Sequence, residues 1–482
     1  MSLLSEMPAE LTEPVSNMKS IDRLRSFVLL LGAAWLPACV PLPSRDDAAV
    51  SIPSSWDRPV PGSADVWPAN DWWHGFASTE LDTLVAAARQ NNLDLSAAAA
   101  RLIQAQNQAR IAGVALLPTL DGSIGTSRAG IAASNRPEST SFNASLSASY
   151  ELDFWGANRA DVLGAQAALR SSRYDRETVA LTVTTGVANT YLQVLSLRER
   201  LATARQNLEI AERVLNIVQA RVRGGAATRL DLAQQLGTVA GQRAAIPPLE
   251  QQERDAVSAL AILLGRLPQG FSVQGTSLDA IQIPAVAPGM PSDLLMRRPD
   301  LRRAESQLDA ADANVAAARA ALFPSVRLTA GSGAQSAVFS TLFDENPGFS
   351  LGVSLARTLF DSGRLGAQRN VADARRLEII QTYRTTVISA FADVDKALGS
   401  VDSITRQQEQ QAIQLEQARI ALEVAEIRYR AGAVDLLTLL DAQRTLYSAQ
   451  DQSRQLKLSR LQAVVTLFRV LGGGWQDTPE PL

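Results

Sequence analysis

Two uninterrupted helix-forming runs, Ala157 to Arg223 and Gly366 to Arg430, constrain this chain more than any other feature. Neither contains a proline, and at about 1.5 Å of rise per residue each would extend roughly 100 Å as a single helix. Val187, Val194, Leu201, Leu208, Leu215 and Val222 recur every seven residues in the first run. Val394, Val401, Gln408, Leu415, Leu422 and Tyr429 repeat the series 207 residues later. Sustained heptads predict coiled-coil packing with a left-handed or underwound tendency. Small companions at Ala204, Ala211, Ala418 and Ala425 let neighbouring helices approach closely, so the helices are expected to form a wall.

Both runs end in the same punctuation. Arg428-Tyr429-Arg430-Ala431-Gly432, leading to Asp441, has a weaker copy in Arg221-Val222-Arg223-Gly224-Gly225, leading to Asp231. Gly225 and Gly432 supply the left-handed conformation that stops a helix. The arginines sit in the last turn, where the helix dipole favours cations. Each copy therefore reads as a helical hairpin tip, from which a shorter helix returns over 226–264 and 433–471. Pro247-Pro248 predicts a kink in the first of these.

A helix over 80–117, stopped by Pro118, and its echo over 293–323, stopped by Pro324, precede a change of period. From Phe142 to Leu152 every even position is apolar or small and every odd one polar, and Phe349 to Leu355 alternates likewise. Weaker partners at 119–131 and 325–338 complete β-hairpins over 119–153 and 325–360, two strands in each of two repeats, 80–265 and 292–472. A linker rich in Pro and Gly, 266–291, joins the repeats in a small equatorial substructure, and 473–482 is a tail. One such strand alone would read as part of a soluble half-buried sheet. Strands of about 10 to 13 residues with one apolar and one polar face also have the length of a transmembrane β-strand. Open sheet edges are not tolerated in a bilayer, and four strands cannot close a barrel with a usable lumen, so several copies must share one.

At the N-terminus, Lys19, Arg23 and Arg25 precede a short apolar run, Phe27 to Trp35, and then Leu36-Pro37-Ala38-Cys39. The run falls short of the roughly 20 residues a spanning helix needs and reads as an export signal over 1–38. Met18 reads as its start, which makes 1–17 an extension. The pattern resembles a lipoprotein box with Cys39, the single cysteine, as the lipidated residue. Pro37 departs from the residue usual there, and ordinary signal-peptidase cleavage is the alternative. Val40 after the cysteine implies sorting to the outer membrane. Residues 39–79 carry Trp56, Trp67, Trp72 and Trp73 without periodicity and are expected to lie extended and docked on the folded body.

Forty-six basic and 49 acidic side chains leave a formal charge of −3, which offers no field for nucleic acid. One histidine, His74, and one cysteine leave little for metal chemistry, and no phosphate loop or nucleophile elbow is present, so an enzyme is not expected.

Pro291-Ser292-Asp293-Leu294-Leu295-Met296-Arg297-Arg298-Pro299-Asp300-Leu301, with Ala304-Glu305 and Leu322-Phe323-Pro324, resembles the signature of the TolC-like outer membrane factors, in the OprM/NodT branch of efflux lipoproteins. Phe360-Asp361-Ser362-Gly363-Arg364 and Leu439-Leu440-Asp441-Ala442-Gln443 match it further. The resemblance implies a mainly α fold with transmembrane β-structure: a long α-helical barrel continuous with a 12-stranded β-barrel shared by a homotrimer, four strands from each subunit. It implies the passive exit duct of a tripartite efflux pump in the outer membrane of a Gram-negative bacterium. The partners would be a periplasmic adaptor, an inner-membrane transporter of the RND type and outer-membrane lipid, with no cofactor.

The resemblance also assigns Asp441 to the periplasmic aperture. TolC carries a second aspartate one turn earlier, where this chain has Thr438. Tyr429 and Asp231 match the closed-state lock. The arginine of that lock falls on Val434, which leaves Arg430 or Arg229 as substitutes. Gly225 and Gly432 mark the tips that would meet the adaptor. The alternatives are a lipid-anchored, non-conducting coiled-coil scaffold of the envelope and a duct for type I protein secretion.

Overall fold

The computed structural model describes residues 48–56, 69–130, 138–286, 289–344 and 347–475. The export signal, Cys39, Trp67 and the end of the tail lie outside the described residues. The chain divides into two units, one of strands, formed by residues 114–161 and 315–369, and one of helices.

In the strand unit, β1 (Thr119–Ala129), β2 (Ser139–Leu152), β3 (Ser325–Ser336) and β4 (Gly348–Ala356) make one antiparallel sheet in that order. The two hairpins, one from each repeat, thus join through β2 and β3. Register keeps the period-2 pattern in phase across all four strands: Leu120, Ala148, Ala330 and Leu351 form one row, and Asp121, Ser147, Gly331 and Ser350 the next. β1 and β4 each leave one edge unpaired within the chain.

The helical unit is built from α1 (Thr79–Asn91), α2 (Leu93–Val114), α3 (Ala157–Arg223), α4 (Arg229–Leu263), a single turn α5 (Leu294–Arg297), α6 (Pro299–Ala320), α7 (Arg364–Arg430) and α8 (Leu436–Val470), several of which begin or end in the strand unit. α3 and α7 each run 67 residues without a break. α4 is also unbroken through Pro247 and Pro248. Val187 and Val194 are fully buried, as are Ala211, Val214 and Val218, while Ala418, Leu422, Ala425 and Tyr429 form the matching seam on α7. Trp72 and Trp73 are buried, Trp72 stacks on Phe468 with centroids 4.9 Å apart, and the Trp56 Nε1–H donates to the Gly289 carbonyl at 2.9 Å.

Two expected helices are shorter than their sequences imply. The 80–117 run breaks at Asn92, whose extended backbone (φ −63°, ψ 133°) ends α1. Its side chain is more useful outside a helix: Oδ1 accepts from Leu95 N at 3.0 Å, capping α2, and Nδ2 donates to the Leu263 carbonyl at 2.8 Å. The 293–323 run breaks at Arg298, because a residue before proline is pushed out of the α region while Pro299 itself suits the first helical position. Arg298 grips Asp300 through two bonds of 3.0 and 2.6 Å and donates to the Val470 carbonyl at 3.2 Å. Burial alone would raise the Asp300 carboxyl, but the Arg298 guanidinium, the Leu301 N–H and Arg303 together hold it below the usual range. Leu263 and Val470 are equivalent in the two repeats. An amide and a guanidinium therefore perform the same fastening on the end of a returning helix.

The glycines beside these fastenings are held tightly. Gly265 (φ +65°) and Gly472 (φ +75°) are left-handed, and a Cβ would lie 2.3 Å from the Asn91 carbonyl oxygen or 2.4 Å from that of Arg297. Gly225 and Gly432 are left-handed too, but a Cβ there meets nothing closer than 3.7 Å. Gly265→Ala and Gly472→Ala are therefore expected to lose about 2–3 kcal/mol. Gly225→Ala and Gly432→Ala should lose only about 1 kcal/mol, for strain alone. Thermal melts of the four variants, read by helical circular dichroism, check the split.

The linker is an extended strap fastened by the buried Glu199 and the half-buried Glu80 and Arg198. Glu80 accepts from the backbone N–H of Gln274 (2.6 Å) and Gly275 (2.8 Å), and Glu199 from that of Leu278 (2.6 Å). Arg198 donates to the Val273 carbonyl at 2.8 Å.

Candidate functional site: the helix tips and the two-faced sheet

At the tips, each long helix ends in a glycine turn. Gly225 N–H donates to the Val222 carbonyl and Ala226 N–H to that of Arg221; Gly432 and Ala433 do the same for Tyr429 and Arg428. The returning helices then begin on caps. Thr228 and Asp231 form a reciprocal capping box on α4, with Asp231 N donating to Thr228 Oγ1 at 3.1 Å and Thr228 N to Asp231 Oδ2 at 2.7 Å. On α8 the cap is Asp435, whose Oδ1 accepts from Thr438 N (2.9 Å) and Thr438 Oγ1 (2.6 Å). The Thr438 hydroxyl, with its backbone N–H, holds the Asp435 carboxyl below the usual range.

Asp441 is exposed on α8 and lies 3.5 Å from Arg444, a weak surface pairing one turn along the helix. Tyr429 is 3% exposed and packs with Val214, Val218, Leu422, Leu436 and Leu439. Among the described residues its hydroxyl has no hydrogen-bond partner, and Asp231 is occupied by its own cap. Burial raises the phenol above its ordinary value, which Arg221 opposes.

The cation at Tyr429 is Arg221. Neither Arg430 nor Arg229 takes that place: Arg430 pairs with Glu426 one turn back on its own helix. The Arg221 guanidinium carbon sits 4.6 Å from the Tyr429 ring centroid, Nη1 donates to the Tyr429 carbonyl, and Nη2 reaches the Ala226 carbonyl at 3.4 Å. Arg221 and Asp435 escaped the reading of the sequence as site residues. The equivalence of Arg221 with Arg428, one residue before Tyr429, was the available signal for the first, and an Asp-x-x-Thr spacing for the second.

The sheet offers different chemistry on each face. Leu120, Ile124, Leu146, Phe349, Leu351, Val353 and Leu355 share one face and are between 57 and 85% exposed. The other face carries Ser123, Ser145, Ser147, Ser149, Asn143, Gln335, Ser350 and a run of glycines, with hydroxyls bonded across strands at 2.8 Å for Ser123 and Ser145. Its charges are Asp121 and the cross-strand neighbours Glu151 and Arg327, 3.4 Å apart. A largely apolar face with exposed large side chains, opposite a polar one, is the pattern of a strand with lipid on one side and water on the other. Among the described residues no helix is long and apolar enough to cross a membrane.

The profile of the family described as "Outer membrane efflux protein" matches residues 84–266 and 290–473. The chain belongs to the outer membrane efflux protein family. It is 45% identical to the pyoverdine export outer membrane protein OpmQ of Pseudomonas aeruginosa, over 97% of this chain and 99% of that one. It is 32% identical to the probable outer membrane lipoprotein SilC of Salmonella typhimurium, over 84% and 88%. The solved outer-membrane channel OprN superposes with a TM-score of 0.85 at 26% identity, covering 91% of this chain and all of that one. This outer membrane efflux protein is accordingly a channel of the Gram-negative outer membrane and a transporter by class. The two matched segments take in both hairpin tips and both pairs of strands.

Proposed function

We propose that this protein is the passive exit duct of a tripartite efflux pump, a homotrimer whose three four-stranded sheets close one 12-stranded barrel. The observation that carries the reading is the sheet: large apolar side chains on one face are exposed, all along β4 and on β1 and β2, and among the described residues both its edges are open. A membrane tolerates neither edge, and lateral pairing with further copies removes both. On α7, Ile413, Ile420 and Ile427 recur every seven residues and are exposed, an uncovered seam that a neighbouring copy would bury. A scaffold rod has no use for the sheet.

The glycine tips at Gly225 and Gly432 are the surfaces for a periplasmic adaptor, which joins the duct to an RND-type transporter. Cys39 is the lipid attachment point, as the lipoprotein among its relatives supports. Asp441 lines the aperture, with Thr438 a neutral neighbour that ties the cap of the same helix. The capping box of Asp231 stiffens the first tip, and opening is an iris-like movement of the Tyr429 hairpin. The cargo is a small molecule of the pyoverdine type, from the likeness to the pyoverdine exporter.

Planar-bilayer recording of purified protein, with cross-linking to count subunits, tests the reading: small cation-preferring steps from a trimer are expected. A folded protein that never conducts overturns it. Asp441→Ala is expected to lower cation-over-anion permeability at least about threefold, because a ring of carboxylates concentrates cations at a narrow axis. An unchanged reversal potential under a salt gradient removes Asp441 from the aperture.

A further inference from the structure

We propose that Arg221 is the latch between the two hairpin tips, and that it acts through the ring and backbone of Tyr429 and not through the tyrosine hydroxyl. The inference rests on the exit-duct reading for its consequence, and on geometry alone for the contact. Arg221 stands in the last turn of α3, within the field of that helix's own unsatisfied carbonyls. It reaches across to the last turn of α7, where the same kind of field awaits a cation. There it lies over the Tyr429 ring at 4.6 Å and donates to the Tyr429 carbonyl, while its other nitrogen holds the Ala226 carbonyl of its own tip at 3.4 Å. One half-buried guanidinium thus fastens two turns that are otherwise joined by apolar packing and, further down α3, by the 3.7 Å pair of Arg213 with Glu426. Its planar fork suits both tasks, and an ammonium suits only one.

The internal repeat supplies a control. Arg428 is the equivalent of Arg221, and Val222 the equivalent of Tyr429. Arg428 is exposed, and no hydrogen bond or ion pair engages its guanidinium among the described residues. The latch has therefore been built into one repeat only. The Tyr429 hydroxyl, buried without a partner, contributes nothing to it.

Full-length protein is compared as wild type, Arg221→Ala, Arg221→Lys, Tyr429→Phe, Tyr429→Leu and Arg428→Ala. Two measurements separate the latch from the duct. Spin-label distances between Ala227→Cys and Ala433→Cys, in a Cys39→Ser background, report the tips directly, and bilayer recordings report opening. Arg221→Ala and Tyr429→Leu are expected to lengthen and broaden the tip distance and to raise the fraction of time spent open about tenfold, the loss of one charge-assisted hydrogen bond. Arg221→Lys should fall between, and Tyr429→Phe and Arg428→Ala should match wild type, all with melting temperatures near that of the parent. A tip distance unchanged in Arg221→Ala, or a Tyr429→Phe variant as loose as Tyr429→Leu, overturns the latch whatever the recordings give. Tips that loosen as expected in a protein that never conducts leave the latch standing and overturn the duct.

Discussion

Leu351→Arg is expected to abolish stable assembly in the outer membrane, while Ser147→Lys is tolerated. Leu351 lies in the middle of β4, in the apolar row with Ala330, Ala148 and Leu120, and is 78% exposed in the single chain. A basic side chain at the bilayer midplane costs about 2–4 kcal/mol on a lipid-facing position. A trimeric barrel would bear that cost three times, roughly 6–12 kcal/mol, which is comparable to the whole stability of an ordinary domain, about 5–15 kcal/mol. Ser147 faces the other way, beside Asp121 and Gly331, where water reaches it. Heat-modifiable, protease-resistant protein in outer-membrane fractions measures the difference. Normal assembly of Leu351→Arg would mean that this face does not meet lipid.

The second large effect belongs to the helical unit. Arg376 on α7 and Asp312 on α6 form an ion pair at 2.7 Å, with side chains only 8% and 5% exposed. Asp312→Ala removes the carboxylate that the buried Arg376 guanidinium faces, and a loss of about 3 kcal/mol is expected. Replacing both partners by apolar residues, as in Asp312→Leu with Arg376→Met, should recover most of it, because the desolvation of two charges disappears with them. Denaturant melts followed at 222 nm decide the matter. A single variant within about 1 kcal/mol of the parent would show that solvent enters the site and screens it, as it does for exposed pairs.

What the sequence made legible was periodic. A period of two from Phe142 to Leu152 marked the strand and both its faces, because alternation in an open sheet is set by the sequence alone. Heptads marked α3 and α7, and prolines marked where the preceding helices stop. The misses share one cause. Asn92 looked like one more polar residue in an Ala-rich helix, since its partner, the Leu263 carbonyl, lies 171 residues away. Arg298 was read as part of a signature, but its task is visible only with the Val470 carbonyl beside it, 172 residues along the chain. Arg221 was read as a cation for its own helix dipole, and its second partner comes from the other repeat. The closed-state pairing expected of Tyr429 with Asp231 met a competitor three residues from Asp231: Thr228 offers a local cap, which costs no loop closure to form.

The polar face of the sheet has a consequence for traffic. Its side chains are mostly hydroxymethyl groups or single hydrogens, many already bonded to one another or to backbone, and its charges are few. A solute moving along such a wall finds shallow wells of nearly equal depth, and nothing to which it must cling and from which it must later detach. Friction along this stretch is then close to that of the confined water.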